Sequence, residues 1–350
     1  MKFTHESLPQ RVRFATGEAA AAVAAEVKTL GAQRVMVIAG EREAEIAARV
    51  TADVPVVLHH DEVVMHVPVA VAERARERAA EAGADALVCV GGGSTTGLAK
   101  AVALTTGLPI VAVPTTYAGS EATDVWGLTS DGTKRTGVDR GVLPRSVVYD
   151  ATLLTSLPGE MSVASGLNAL AHCVDSMWGP RVDPIDQVNA AEGIRGLAAG
   201  LPLVADDSAS VDGVEQTLYG AYLAAVAFAS AGSGMHHKIC HVLGGMFDLP
   251  HAQTHAVVLP HVLAFNAPSA PEAETRMAAA FGAASAVEGL ARLRTRLSAP
   301  KALKDYGMPE DGIAAAVAPI LAAIPDNNPT PVTEENLTAL LTAAWAGEEN

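Results

Sequence analysis

The chain has 350 residues, 49% of them hydrophobic and 18% charged. That length supports about two domains, and the composition is too apolar for a disordered chain. With 24 basic and 39 acidic side chains the net charge is −15, which leaves no basic face for a nucleic-acid backbone. The first ten residues lack the apolar stretch of a secretory signal. Cys89, Cys173 and Cys240 have no metal-ligand spacing and cannot all pair, which suits the reducing cytoplasm. The uncharged run at 218–235 is rich in Gly, Ala and Ser and leads into His236, His237 and Lys238. It reads as a buried helix of a soluble protein, with no membrane span.

In chain order, an Ala-rich helix at 18–30 precedes a short apolar strand at 34–39 (RVMVIA), and a second strand follows at 54–59. Residues 68–83 interleave charges with alanines as a helix does. A third strand at 86–90 (ALVCV) runs into Gly91-Gly92-Gly93-Ser94 and a helix at 95–104, and a fourth at 110–113 ends in Pro114-Thr115-Thr116. Strands separated by helices predict a parallel α/β sheet. Beyond residue 157 strand signals vanish, and Ala-rich helical segments at 162–177, 187–199 and 214–229 take over. The expected organisation is a Rossmann-like α/β nucleotide-binding domain over 1–155 and an all-helical domain over 156–350. A cleft between two such domains is a common place for an active site.

Two turns carry chemistry. Gly91-Gly92-Gly93-Ser94 joins a strand to a helix, where glycines admit a close ligand and the helix start offers free N–H groups to an anion. It is not a GxGxxG fingerprint, and the first strand is followed by Gly40-Glu41-Arg42-Glu43 instead. Phosphates are therefore expected on the later turn. Thr115, Thr116, Tyr117 and Ser120 follow the next strand, so a parallel sheet brings them to the same edge. The glycine turn alone favours a phosphate over a bare βα turn, and the second alone reads equally as an ordinary polar loop; two on consecutive strands favour a nucleotide.

His236, His237, His241, His251, His255 and His261 fall within 26 residues, where an even spread of the eleven histidines would put about one. His237 and His241 are spaced to share a helical face, as are Asn168 and His172. Imidazoles in such a cluster bind metal, or move protons and contact polar substrates.

Taken together, GGGSTTGLAK at 91–100, VPTTYAGSEAT at 113–123, LPRSVVYDATLLTSLP at 143–158 and HHKICHVLGGMFDLPHAQTHAVVLPH at 236–261 resemble the iron-containing (group III) alcohol dehydrogenase superfamily over nearly the whole chain. The resemblance implies a dehydroquinate synthase-like pair of domains. Within the superfamily the chain is most similar to the maleylacetate reductases. Metal-dependent members carry an aspartate where this chain has Asn168, and a second where it has Gly97. Asn168, His172, His237 and His251 then occupy the metal-ligand positions, and His241 that of a further active-site histidine. Three imidazoles and a neutral amide supply no protein anion for a dication, so the resemblance implies a metal-independent reductase. It would reduce a small dicarboxylate, maleylacetate, to 3-oxoadipate in the breakdown of aromatic compounds, as a homodimer in the cytoplasm. Gly40 stands where NAD-specific relatives place an aspartate on the adenosine ribose, so both NADH and NADPH are expected to serve. Lys134 matches a cofactor-contacting lysine, and His66-Val67-Pro68 replaces an asparagine–proline turn near the cofactor. The alternatives are a metal-dependent alcohol or polyol dehydrogenase of the same architecture, and a nucleotide-binding protein without redox turnover.

Overall fold

The computed structural model describes residues 1–130 and 133–348. It comprises two compact units, Leu8–Leu157 and Pro158–Asn350, the latter joined by Met1–Ser7.

The first unit runs β1 (Arg11–Phe14), α1 (Ala19–Leu30), β2 (Val35–Ile38), α2 (Ala44–Val50), β3 (Val56–His60), α3 (Val69–Glu81), β4 (Ala86–Gly91), α4 (Gly93–Thr106), β5 (Ile110–Pro114), β6 (Val125–Ser130), β7 (Thr133–Val138) and β8 (Ser146–Tyr149). Six strands form one parallel sheet in the order β1-β8-β5-β4-β2-β3, and β6 and β7 form a separate antiparallel pair. Every residue of β2, β4, β5 and β8 is buried. That is why these strands read as unbroken apolar runs, as strands covered on both faces do. The sequence predicts four strands. β1 and β8, the latter only four residues long, complete the sheet. In β1 the segment RVRF lies at an edge with none of its residues buried, so no apolar run marks it.

The order of strands decides where a ligand fits. The chain leaves β2 outward to β3 and then returns to the other side of β2 as β4. A reversal of this kind opens a crevice beyond the carboxyl ends of the two strands, the usual ligand position in such sheets. Gly40 lies just past β2, and Gly92, Gly93 and Ser94 lie just past β4.

The second unit is helical: α5 (Gly159–Ser176), α6 (Pro184–Asp206), α7 (Val211–Ala231), α8 (Met235–Phe247), α9 (His251–Asn266), α10 (Pro271–Phe281), α11 (Ala286–Arg296), α12 (Gly312–Ala323) and α13 (Glu334–Ala346). α6 and α7 pack backbone to backbone: a Cβ on Gly220 would come within 2.7 Å of Leu197 N and 2.8 Å of Gly193 O. Only glycine permits that approach. The long apolar run expected as a buried helix is divided between α7 and α8, which meet at 96°, and no single described helix is long and apolar enough to cross a membrane. In α8, Met235, Ile239 and Leu243 enter a core with Val258, Val262, Val317 and Leu341. His237 stands two residues, about 200°, round the helix from Met235. The packing that buries one face of α8 thus turns His237 and His241 to the other.

Candidate active site

At the sheet crevice, Gly91 has φ +155°, and a Cβ there would lie 2.3 Å from Thr95 Oγ1. A Cβ on Gly92 would meet Thr116 Cγ2 at 3.0 Å, and one on Gly93 would meet Ala118 Cβ at 3.4 Å. Gly91 admits no side chain and Gly92 only a tightly crowded one, and the backbone N–H groups at the start of α4 offer a cradle suited to an anion. As the parallel sheet requires, β4 and β5 pair in register with Gly91 opposite Pro114, and Thr115 N donates to Gly91 O at 3.1 Å. Thr115 and Thr116 therefore stand beside the glycine turn. Tyr117 is buried, and Ser120 opens a short turn after Gly119, whose φ is +76°.

That loop is tied down by groups the sequence reading passed over. Lys100 is fully buried, and its Nζ donates to Thr123 O at 2.8 Å, Thr123 Oγ1 at 3.1 Å and Val125 O at 2.8 Å. Burial pulls its ammonium down to about 7. Tyr149 Oη donates to Glu121 Oε1 at 2.8 Å, and burial pushes the Glu121 carboxyl up. Lys134 pairs with Thr129 in β7; its side chain lies outside the described residues. Gly97, the other departure from the metal-dependent pattern, faces Val67 Cγ2, which a Cβ would meet at 3.0 Å. His66 and Val67 hold φ +63° and +47°, rare for non-glycine residues. Thr129 clamps them, its hydroxyl on His66 O at 2.8 Å and its N–H on Val67 O at 3.1 Å.

In the helical unit, Asn168, His172 and Asp175 recur along α5 at four- and three-residue spacing, one above the next. α8 brings His236, His237 and His241, and the first turns of α9 bring His251 and His255. Ring centroids of His172 and His237 lie 4.9 Å apart, stacked; His237 and His241 are 5.9 Å apart, His241 and His251 6.4 Å, and His251 and His255 4.4 Å. Phe228 packs on His172 at 4.8 Å and on His237 at 4.2 Å. Asn168, His172, His236, His237 and His255 are buried, while His241 and His251 are exposed. His261 does not join them. It lies six residues, about 240°, round α9 from His255 and lines an apolar cavity of about 360 Å³ with Leu263, Phe265, Leu290 and Leu340.

Asp175, fully buried, organises the cluster. Its Oδ2 accepts Gly234 N–H at 2.8 Å and its Oδ1 accepts His236 N–H at 3.3 Å, closing the start of α8. Oδ2 also accepts His237 N–H at 3.4 Å and lies 2.8 Å from His237 Nδ1. Burial pushes this carboxyl up, to about 7, against the pull of those N–H groups. With every neighbour a donor and a helix N-terminus at its face, Asp175 acts as the carboxylate. His237 therefore carries its proton on Nδ1 and presents a lone pair at Nε2. Nε2 has no hydrogen-bond partner among the described residues, and neither do Asn168 Oδ1 and His172 Nδ1. Burial drives His172 down to about 3 and His237 well below its ordinary value. Both rings are neutral at physiological pH.

Profiles described as iron-containing alcohol dehydrogenase match residues 9–151, and those of the C-terminal part of the Fe-containing alcohol dehydrogenase family match residues 162–345. The chain belongs to the iron-containing alcohol dehydrogenase family. Its relatives include the maleylacetate reductase of Sphingobium indicum, 46% identical over 99% of this chain and 98% of that protein. Among solved structures, an iron-containing alcohol dehydrogenase from Corynebacterium glutamicum is 63% identical with a TM-score of 0.98, covering 99% of this chain and 98% of that one. Maleylacetate reductase from Agrobacterium tumefaciens is 37% identical with a TM-score of 0.95, covering both chains fully, at 100% each.

The family name implies iron, and the residues here fit a resident divalent ion poorly. Asn168 offers a neutral amide and no carboxylate, and His172 and His237 stack face to face at 14° instead of converging edge-on. The three imidazoles whose nitrogens do lie within 4.8 Å of one another are His236, His237 and His255, and there His236 Nε2 and His255 Nδ1 bind each other at 2.9 Å.

Proposed function

We propose that this chain is a maleylacetate reductase that uses NADH or NADPH and needs no metal. The observation that carries the reading is the charge of the histidine cluster. The carboxylate seen against it, Asp175, is already occupied by N–H donors, and the amide of Asn168 stands where an aspartate would repel a dianion. Full-length similarity to maleylacetate reductases supports the same substrate.

A bound nicotinamide would supply the hydride that reduces the alkene carbon β to the substrate's ketone; the rest of the chemistry falls to the chain. The glycine turn, with Gly92, Gly93 and Ser94, would hold the pyrophosphate on the amides of α4, and Thr115, Thr116, Tyr117 and Ser120 on the neighbouring turn would add hydroxyl and amide contacts to the cofactor. His172, His237 and His251 meet the substrate's carboxylate and carbonyl oxygens. A carboxylate arriving at His237 Nε2 raises the affinity of that imidazole for a proton, and Asp175 balances the resulting charge from the other side. Asn168 turns its amide NH2 to an oxygen without adding charge. His241, exposed to solvent, donates the proton that turns the enolate into product. Reduction of an enone proceeds through an enolate that hydrogen bonds stabilise, which lessens the need for the Lewis acid that carbonyl reduction favours.

The test is oxidation of NADH with maleylacetate and with simple aldehydes, before and after exhaustive chelation. Turnover of maleylacetate should survive chelation with less than one transition-metal ion per chain at the active cluster. Activity lost on chelation and restored by Zn²⁺ or Fe²⁺ returns the chain to the metal-dependent alcohol dehydrogenases.

Cofactor breadth follows from Gly40. It closes β2 at the sheet crevice and offers no carboxylate to a 2′-phosphate, with Arg42 two residues on. NADH and NADPH should therefore differ in kcat/KM by less than about a thousandfold, ~4 kcal/mol. A Cβ at this position would lie 3.1 Å from Glu43 Oε2, so Gly40→Asp adds charge and displaces a second carboxylate. The substitution should lower kcat/KM for NADPH by about tenfold or more and leave NADH nearly unchanged. Equal losses with both cofactors would contradict this.

A further inference from the structure

The head of α6 holds a second group of buried ionisable side chains. Asp183 Oδ1 accepts Ile185 N–H at 2.7 Å and Asp186 N–H at 3.1 Å, and Asp186 Oδ2 accepts Asp183 N–H at 3.2 Å. This reciprocal cap uses one oxygen of each carboxylate. The other two, Asp183 Oδ2 and Asp186 Oδ1, point toward His5, whose Nδ1 lies 2.8 Å and 3.6 Å from them. Asp183 is 5% exposed and Asp186 is fully buried. Asp186 Oδ1 has no hydrogen-bond partner among the described residues.

We propose that His5 Nδ1, Asp183 Oδ2 and Asp186 Oδ1 bind a divalent transition-metal ion at a site separate from the histidine cluster. One ligand atom from each of the three residues lies within 4.8 Å of the other two. In a tetrahedral zinc site, ligand atoms stand about 3.4 Å apart, and the two separations from His5 bracket that value. A proton on His5 cannot do the same work. Nδ1–H makes one bond, to Asp183 at 2.8 Å, and leaves Asp186 Oδ1 unpaired at 3.6 Å. A cation between the three satisfies all of them and neutralises two adjacent buried carboxylates. Burial pushes the Asp186 carboxyl up, and the adjacent Asp183 charge adds to the rise. One imidazole and two carboxylates select Zn²⁺, Co²⁺ or Ni²⁺ over Mg²⁺ and Ca²⁺, which prefer all-oxygen shells. A water completes the shell. The ion would fasten the segment carrying His5 to the start of α6.

The test uses full-length protein stripped of metal and dialysed against Zn²⁺ alone. Wild type should retain one more Zn²⁺ per chain than His5→Ala or Asp186→Asn, and Mg²⁺ in tenfold excess should not displace it. The asparagine keeps an oxygen for Asp183 N–H, so the cap and the fold persist, as circular dichroism will report. Zn²⁺ should raise the unfolding temperature of wild type and of His237→Ala, but not of the two site variants. Equal Zn²⁺ stoichiometry in wild type and both variants overturns the proposal, as does loss of the same ion in His237→Ala. Neither outcome depends on the reductase assay, in which His5→Ala should turn over at the wild-type rate.

Discussion

Asp175→Ala should be the most damaging single change in the helical unit, lowering stability by about 3–5 kcal/mol, the range for removing one partner of a buried charge network. Three backbone N–H groups at the start of α8, those of Gly234, His236 and His237, lose their acceptor together with His237 Nδ1. Each buried orphan donor costs about 1–3 kcal/mol. The urea midpoint at unchanged slope gives the stability loss. Asp175→Asn separates the two roles of the residue. The amide retains an oxygen for the helix start, so most of the stability should remain. Its NH2, where it faces His237, reverses the imidazole's tautomer and moves the lone pair away from Nε2. The maleylacetate kcat should then fall by about tenfold or more. An Asp175→Asn variant with normal kcat would reduce Asp175 to a helix cap alone.

His241→Ala is expected to lower kcat by about a hundredfold or more, within the usual range for a general acid, with little change in NADH affinity. His241 faces solvent beside His237 and His251, with rings 5.9 and 6.4 Å away. His241 is open to solvent, whereas burial has neutralised His172 and His237. Exposure separates His241 from His172 and His237, and its place one helical turn beyond His237 on α8 separates it from His251, which opens α9. Replacing His172, His237 or His251 should accordingly act more on KM than His241→Ala does. Near-normal turnover in His241→Ala would pass the role of donor to His237.

How far the sequence can be read follows from what each segment buries. β2, β4 and β5 lie inside a sheet covered on both faces, so every residue is apolar and the run is visible. β1 is held by its ladder to β8, a backbone interaction that leaves little mark on side chains. The β6–β7 pair mixes half-buried positions with polar ones and shows no clean alternation. The spacing of Asn168 to His172 and of His237 to His241 was enough to predict shared helical faces, and all four side chains lie on α5 and α8 as expected. Asp175 escaped because its partner is the backbone of a helix 59 residues away, although its spacing after His172 continues the same stripe. Proximity in sequence groups His261 with the cluster, but rotation along α9 takes it to another face. Lys100 lay inside a recognised motif, and only the fold shows its three acceptors around Thr123 and Val125.

The pairing of β1 with β8, and of His5 with Asp183 178 positions later, sets an order of events during synthesis. At roughly 5–20 residues per second, residues 5–14 leave the ribosome on the order of ten to thirty seconds before the segments that receive them. The strands β2 to β5 can meet in the meantime, each a short helix away from the next. Residues 5–14 wait unpaired, with Phe14 still half exposed even in the finished fold, so this stretch is where a chaperone or a neighbouring nascent chain has longest to act. The first segment made thus finds its partners only once residues 146–186 have followed it.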